Sequence, residues 1–430
     1  MKISKIKAFQ IYDSRGYPTI ACYIEDETGN SEISMVPSGA STGEREAIEL
    51  RDNNKLEWDG KGVSKAIRYI NDIIAPKLIG LNVTDQKNID QIMIDLDGTY
   101  NKSKLGANSI LSVSMAIAKL AAKNLHKPLF QYLRENLLLN KNNKYFFPIP
   151  IVNVINGGKH ANNNLDFQEF MFVPLCPDSW DNCLKIVDEC FLSLQKILLR
   201  NNQSISKGDE GGFSINFNNI SDVFQLLSLA VETAGYKLGV DVGFGIDVAA
   251  SEFYSNSKYN LKIVNKSFTS KELLEFYLEL INKYPIVYLE DPFDQNDWEN
   301  FTELTKIVKN KVLIVGDDLY CTNVNLLQKG INQCATNSIL IKLNQIGTLS
   351  ECIDTILLAQ KNNLNFIISH RSGETEDTFI ADLSIATNSK LIKTGSMSRS
   401  ERLAKYNRIT IIDKTIKELN KSNWEEICQN

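Results

Sequence analysis

Ile286-Val287-Tyr288-Leu289-Glu290 is an apolar run that closes on a carboxylate. Its β-branched and aromatic residues, with no polar alternation, read as a strand buried on both faces. The acid marks where that strand leaves the apolar interior. The same pattern recurs on either side. Gly243-Phe244-Gly245-Ile246 ends at Asp247, Val312 to Gly316 at Asp317, and Ile339-Leu340-Ile341 at Lys342. Phe366-Ile367-Ile368-Ser369 ends at His370, and Leu391-Ile392 at Lys393. Most of these polar ends fall about 25–30 residues apart, one strand-plus-helix unit of an eightfold barrel. Catalytic groups of such barrels stand at the carboxyl ends of strands, so these six side chains are expected at one mouth.

Ahead of the repeat the chain reads differently. Ile3 to Tyr12, Thr19 to Glu25 and Ser31 to Val36 are strand-like, separated by the turns Gly16-Tyr17-Pro18 and Thr28-Gly29-Asn30. Helical periodicity follows over 63–79, 85–95, 108–123 and 129–138. Asn140-Lys141-Asn142-Asn143-Lys144 then offers no apolar face, and Pro148-Ile149-Pro150 marks a fresh start. This predicts an α+β capping domain over 1–139 and an α/β barrel over 140–430. A chain of 430 residues is long enough for two cores.

Composition narrows the function. Hydrophobic residues make up 43% and charged residues 23%, as in ordinary globular proteins. No apolar stretch reaches the length of about 18 residues that membrane insertion needs. The N-terminal charges alternate with apolar residues, which suits a strand and not a secretory signal, so the protein is expected to stay where it is made. A net charge of −5 argues against direct nucleic-acid binding. The eight cysteines show no Cys-x-x-Cys or paired Cys/His spacing and read as free thiols.

Asp247, Glu290 and Asp317 would bring three carboxylates to the mouth, where only a cation could hold them together. Oxygen ligands without a Cys or His pair favour Mg²⁺ over Zn²⁺. Taken singly, each acid could equally cap a following helix. Lys342 and Lys393, near other cations and desolvated, are expected to have lowered pKa values, as a base requires. Taken singly, a lysine more commonly snorkels to the surface. Arg371 and Ser372, after His370, could grip a phosphate. His160 lies in the glycine turn Asn156-Gly157-Gly158-Lys159-His160-Ala161, whereas His126 reads as a helix-end residue. Glu210 stands in Gly208-Asp209-Glu210-Gly211-Gly212, either an exposed turn or an acid brought close to a substrate. Ser38-Gly39-Ala40-Ser41-Thr42-Gly43 is a small-residue loop expected to precede a helix with Glu44 and Glu46 in its first turn. It lacks the Lys-Ser/Thr ending of a P-loop.

In order along the chain, these motifs resemble the enolase family, of bacterial type. They run from Asp13-Ser14-Arg15-Gly16 through Val36 to Gly43, Gly106-Ala107-Asn108-Ser109, Asn156 to Ala161 and Asp166-Phe167-Gln168-Glu169-Phe170. They continue through Gly208 to Phe213, Glu290-Asp291-Pro292-Phe293, Gly316-Asp317-Asp318, Ile341 to Thr348, Ser369 to Asp377 and Lys393-Thr394-Gly395-Ser396. The resemblance implies an enolase-type (β/α)8 barrel behind an N-terminal α+β domain with a three-stranded meander. It implies the reversible dehydration of 2-phosphoglycerate to phosphoenolpyruvate in glycolysis and gluconeogenesis, by a cytoplasmic homodimer. Asp247, Glu290 and Asp317 would hold one Mg²⁺, and a second would arrive with substrate and take Ser41 as a ligand. Lys342 would remove the C2 proton, and Glu210 would protonate the departing C3 hydroxyl, supported by Glu169 and Gln168. Lys393 would contact the substrate carboxylate and Arg371 and Ser372 the phosphate, with His160 and His370 lining the pocket. A Lys base with one or two Mg²⁺ ions is a general pairing of the wider superfamily.

Tyr17, Ser214-Ile215 and Gln295-Asn296 depart from the family pattern, as does the segment beyond Asn407. None is a residue assigned above. The resemblance leaves two other readings: a different dehydratase of the superfamily, and a scaffold of the same fold. Docking on an RNA-degradation ribonuclease and an additional surface or secreted pool stay open beside catalysis.

Overall fold

The structure is a computed structural model and describes residues 1–418, except 41, 42, 141, 143 and 176. The first three strands, β1 (Ile3–Tyr12), β2 (Pro18–Asp26) and β3 (Ser31–Met35), form an antiparallel meander in that order. Helices α1 (Ser64–Tyr69) and α2 (Ala75–Leu78) are joined by a π turn over Ile70–Ile74, so the periodicity over 63–79 is one helical stretch. Then follow α3 (Gln86–Asp97), α4 (Ala107–Asn124) and the short α5 (Leu129–Tyr132). The α4 sequence alternates Ala and Ser with larger apolar residues and is buried on nearly every face. Small side chains let it lie between the meander and its neighbours. His126 follows it in a left-handed turn, φ 52°, and is exposed.

The barrel closes in the order β10-β11-β12-β13-β14-β4-β5-β6. These strands are β4 (Ile149–Asn156), β5 (Glu169–Pro174), β6 (Val242–Asp247), β10 (Ile286–Glu290), β11 (Leu313–Gly316), β12 (Ser338–Ile341), β13 (Asn365–Ser369) and β14 (Leu391–Lys393). Around them lie α6 (Trp180–Arg200), α7 (Ile220–Thr233), α8 (Ser270–Lys283), α9 (Trp298–Val308), α10 (Val324–Gln333), the short α11 (Leu343–Ile346), α12 (Leu349–Lys361), α13 (Phe379–Thr387) and α14 (Ser400–Glu418). Side-chain caps start many of them: Ser179, Asn219, Asp297 and Thr348 each accept from a backbone N–H of the first turn, and Thr269 with Glu272 forms a capping box.

The barrel departs from eight equal strand-helix units. A loop and not a helix joins β4 to β5, so β5 runs antiparallel to both neighbours. Its first residue, Glu169, therefore stands at the mouth where the other strands end. The long interval between Asp247 and Glu290 holds a small antiparallel sheet, β7 (Tyr254–Ser255), β8 (Lys258–Leu261) and β9 (Lys266–Phe268).

Ile151, Met171, Val173, Tyr288, Val315, Leu340, Ile367 and Leu391 fill the barrel interior, two from β5 and one from each of six other strands. The eighth, β6, contributes Gly245, where a Cβ would meet Met171 at 3.3 Å and Tyr288 at 3.4 Å. Cys22, Cys190, Cys321, Cys334 and Cys352 are free thiols. Among the described residues no helix is long and apolar enough to cross a membrane.

Candidate active site

The strand ends meet as expected. Asp247, Glu290 and Lys393 close β6, β10 and β14, while Asp317, Lys342 and His370 follow β11, β12 and β13 by one residue. Residues i and i+2 of a strand share a face, so Tyr288 in the interior directs its hydroxyl to Glu290 Oε2 above it. His160, Gln168, Glu169, Glu210, Asp247, Lys342, Ser369, His370, Arg371, Ser372 and Lys393 line one pocket.

Two ammonium groups organise its acids. Lys393 Nζ donates to Glu290 Oε2 at 2.7 Å and Asp247 Oδ2 at 2.9 Å, and lies 3.2 Å from Glu169 Oε1. Lys342 Nζ donates to Asp317 Oδ2, whose other oxygen accepts from Gln345 Nε2 at 2.8 Å. These contacts correct the expectation that both lysines have lowered pKa values. Burial does pull each down, but Asp317 outweighs it at Lys342, and Asp247 with Glu169 and Glu290 at Lys393, so both are raised. The neighbours of each amine are carboxylates first and cations second.

The acids carry the complementary imbalance. Burial, then Asp247, pushes Glu290 up to about 8 despite Lys393. Its Oε1 is buried and has no hydrogen-bond partner among the described residues. Hard oxygen donors on three neighbouring strands, with Glu290 short of positive charge, have the chemistry that suits a divalent cation. Asp291 serves the frame instead: it accepts the Asp317 N–H at 2.9 Å and the Asp318 N–H at 2.7 Å.

Across the pocket, Glu169, Glu210 and His160 place ligand atoms within 4.8 Å of one another. Glu210 is buried and not in an exposed turn. Its Oε2 accepts from Asn153 Nδ2 at 2.9 Å, and its Oε1 lies 3.5 Å from His160 Nδ1 and 3.6 Å from His370 Nε2. Burial and the Glu210 charge raise Glu169 well above the carboxylate range. Burial raises Glu210 too, but His160, His370 and Arg402 outweigh it and hold it low. Of the two carboxyls, Glu169 therefore holds a proton more readily than Glu210. Arg402 Nη1 donates to His370 Nδ1 at 2.6 Å, which makes that nitrogen an acceptor and turns the His370 Nε2–H toward Glu210. Burial lowers both histidines, against the pull of the Glu210 charge.

Arg371 is gripped by Glu46, at 2.8 Å to Oε2 and 3.1 Å to Oε1. Burial opposes its charge, but Glu46 holds it. The segment after Gly43 is not the expected helix. Glu46 N–H closes a turn on Gly43 O at 3.1 Å, after which Ala47 N–H donates to Gln345 O and Ile48 N–H to Asn101 O, and Glu46 reaches Arg371. Ser38 and Gly373 exchange backbone hydrogen bonds of 2.7 and 2.9 Å, tying the start of the small-residue loop to the Arg371–Ser372 turn. Ser41 lies outside the described residues. The departure at Gln295-Asn296 bears on this segment: Gln295 Oε1 accepts the Glu44 N–H at 3.0 Å, and Asn296 accepts from Arg45.

Glu46, Asn153, Gln345 and Arg402 were not assigned to the site from sequence. Arg402 also donates to the carbonyls of Arg371 and Ser372, each at 2.6 Å, and fixes the turn from α14.

Residues 144–429 match the model of the enolase C-terminal TIM barrel domain, and residues 3–133 that of the enolase N-terminal domain. The enolase of Mycoplasma genitalium is 52% identical over 96% of this chain and 92% of its own. That of Mycoplasmoides gallisepticum is 50% identical over 96% and 89%, and that of Ureaplasma parvum 50% identical over 97% of each.

Proposed function

The chain belongs to the enolase family, and from that premise we propose how its own residues carry the reaction. It is a lyase of glycolysis that interconverts 2-phosphoglycerate and phosphoenolpyruvate. The family implies a divalent metal cofactor. We assign it as two Mg²⁺ ions, one on Asp247, Glu290 and Asp317 and a second that arrives with substrate and takes Ser41.

One observation supports the division of labour most directly. In the ring of eight strands, β12 and β5 are four places apart, so Lys342 and Glu169 face each other across the mouth. Glu210 stands beside Glu169. A base on one side can take the C2 proton while a carboxyl on the other meets the C3 hydroxyl, from opposite faces of one substrate. A bound divalent cation supplies charge stabilisation for the substrate carboxylate as C2 loses its proton. Committing Asp317 to a cation removes the anion that holds the proton on Lys342, the direction a base requires. Lys393, already among carboxylates, is placed to share them with the substrate carboxylate. A proton of the Glu169 and Glu210 pair leaves with the C3 hydroxyl as water. Gln168, its Oε1 buried without a partner among the described residues, faces the same side. His160 and His370 keep the Glu210 carboxyl aimed, and Arg371 with Ser372 takes the phosphate.

We place the domain boundary near residue 140; the two family models, which end at 133 and begin at 144, support it. We also read the protein as a homodimer, supported by Phe9 and Tyr12, which are exposed on the edge strand β1.

Mixing the protein with 2-phosphoglycerate and Mg²⁺ is expected to raise the ultraviolet absorbance of the conjugated enol phosphate, and EDTA to stop the rise. Folded protein with saturating Mg²⁺ and no rise would leave the scaffold reading.

A further inference from the structure

The loop that carries Glu210 is closed at its base by residues the reaction does not use. Lys207 pairs with Phe213 in an antiparallel bridge. Gly208 N–H donates to Gly212 O, and Ser214 N–H to Ser206 O, each at 2.8 Å. Phe213 is fixed in turn to β4: its N–H donates to Val154 O at 2.9 Å, and its carbonyl accepts the Asn156 N–H at 3.0 Å.

The Lys207 amine turns neither to an acid nor to water. Its Nζ lies 3.2 Å from the centroid of the Phe213 ring and 4.1 Å from that of Phe191. Those rings are stacked 5.0 Å apart. The buried Nζ has no hydrogen-bond partner among the described residues. Phe191 belongs to α6, so one amine joins that helix, the base of the loop and, through Phe213, β4. Burial without an acceptor is unfavourable for an amine, and it draws Lys207 down to about 7. The faces of two rings offset part of that cost, because the ring quadrupole attracts a cation. A purely apolar side chain of the same length would fill the space without it.

We propose that Lys207 is a positioning residue for Glu210: its amine, seated on Phe213 and Phe191, clamps the base of the 208–212 loop and fixes the carboxyl where the departing hydroxyl needs it. This rests on the assignment of Glu210 to the dehydration step. Within the loop, Asp209 N–H donates to His160 O and Ser396 N–H to Glu210 O, each at 3.0 Å, and Ser398 Oγ donates to Gly211 O at 2.6 Å, so Lys207 acts beside these ties, at the base of the loop. A small displacement there moves the carboxyl relative to the substrate.

The test compares the unaltered protein, Lys207→Met and Glu210→Gln, all full-length, with Mg²⁺ and 2-phosphoglycerate in D₂O. Exchange of the C2 proton and formation of phosphoenolpyruvate are followed together. Methionine keeps the stem and removes the amine, so Lys207→Met is expected to melt no lower than the unaltered protein. It should behave as a milder copy of Glu210→Gln, with phosphoenolpyruvate formed about tenfold more slowly and C2 exchange changed by less than about twofold. Unchanged dehydration, or a pattern that differs in kind from that of Glu210→Gln, overturns the clamp. Loss of C2 exchange in Glu210→Gln would instead overturn the assignment of Glu210, and the clamp is then judged by the same comparison of the two variants.

Discussion

Lys342→Ala is expected to abolish exchange of the C2 proton of 2-phosphoglycerate with solvent while the barrel stays folded. A positioned general base contributes about 10²–10⁴-fold. The effect should be at the upper end here, because the proton lies beside an ionised carboxylate and water is a poor base for it. No neighbouring group can substitute readily. Lys393 is committed to Asp247, Glu290 and Glu169, and both histidines stand on the Glu210 side. The fold should survive, since what holds the strand end is backbone: the Lys342 N–H donates to Thr322 Oγ1 at 2.9 Å. Asp317 keeps the amide of Gln345 when the ammonium is gone. Deuterium incorporation at C2, followed by NMR beside a circular dichroism spectrum, checks both halves. Undiminished exchange in a folded variant would assign the base to another residue.

This variant also bears on the raised pKa of Lys342. A lysine held protonated by Asp317 is not a base as it stands. On the proposed assignment the same carboxylate would serve two occupants, the ammonium or a cation. Activity is expected only where the second displaces the first, which is why EDTA should silence an otherwise intact pocket.

How much of this was legible in the sequence follows from the range of each interaction. The strand ends were legible because a buried parallel strand must be apolar and its exit polar, a rule confined to five or six neighbouring residues; Asp247, Glu290 and Lys393 fall on the last residue of their strands. The antiparallel β5 was not, because a twelve-residue connection can be a loop or a helix and Gly157-Gly158 alone does not decide it. In the fold the glycines are required: a Cβ on Gly157 would meet Phe167 O at 2.4 Å. Glu46 misled for the same reason. Three residues after Gly43 it has the spacing of a first-turn acid, and its true partner, Arg371, lies in another part of the chain. Arg402 left no local signal, since the atoms it serves are carbonyls, which every residue has. The direction of the lysine pKa values depended on which charges came nearest, and spacing along a chain does not give that order.

Glu210→Gln should separate the two halves of the reaction: phosphoenolpyruvate formation lost by about a thousandfold, C2 exchange retained. Glutamine has the shape of glutamate and can keep an oxygen on Asn153 Nδ2, so the loop is expected to stay in place. What it cannot do is share a proton with Glu169. In the unaltered protein the negative charge on Glu210 is part of what keeps the proton on Glu169. Without it, burial and the Asp247 and Glu290 charges still oppose Lys393, but less strongly, so Glu169 ionises more readily and the variant is expected to lose the acid and weaken its store of protons together. Proton removal as proposed for Lys342 would take place across the mouth from both and would not call on either. The variant should therefore load substrate, lose and regain the C2 proton, and stop there. Exchange and dehydration measured in one D₂O sample decide it: retained exchange with no product places Glu210 after proton removal, and loss of both places it before.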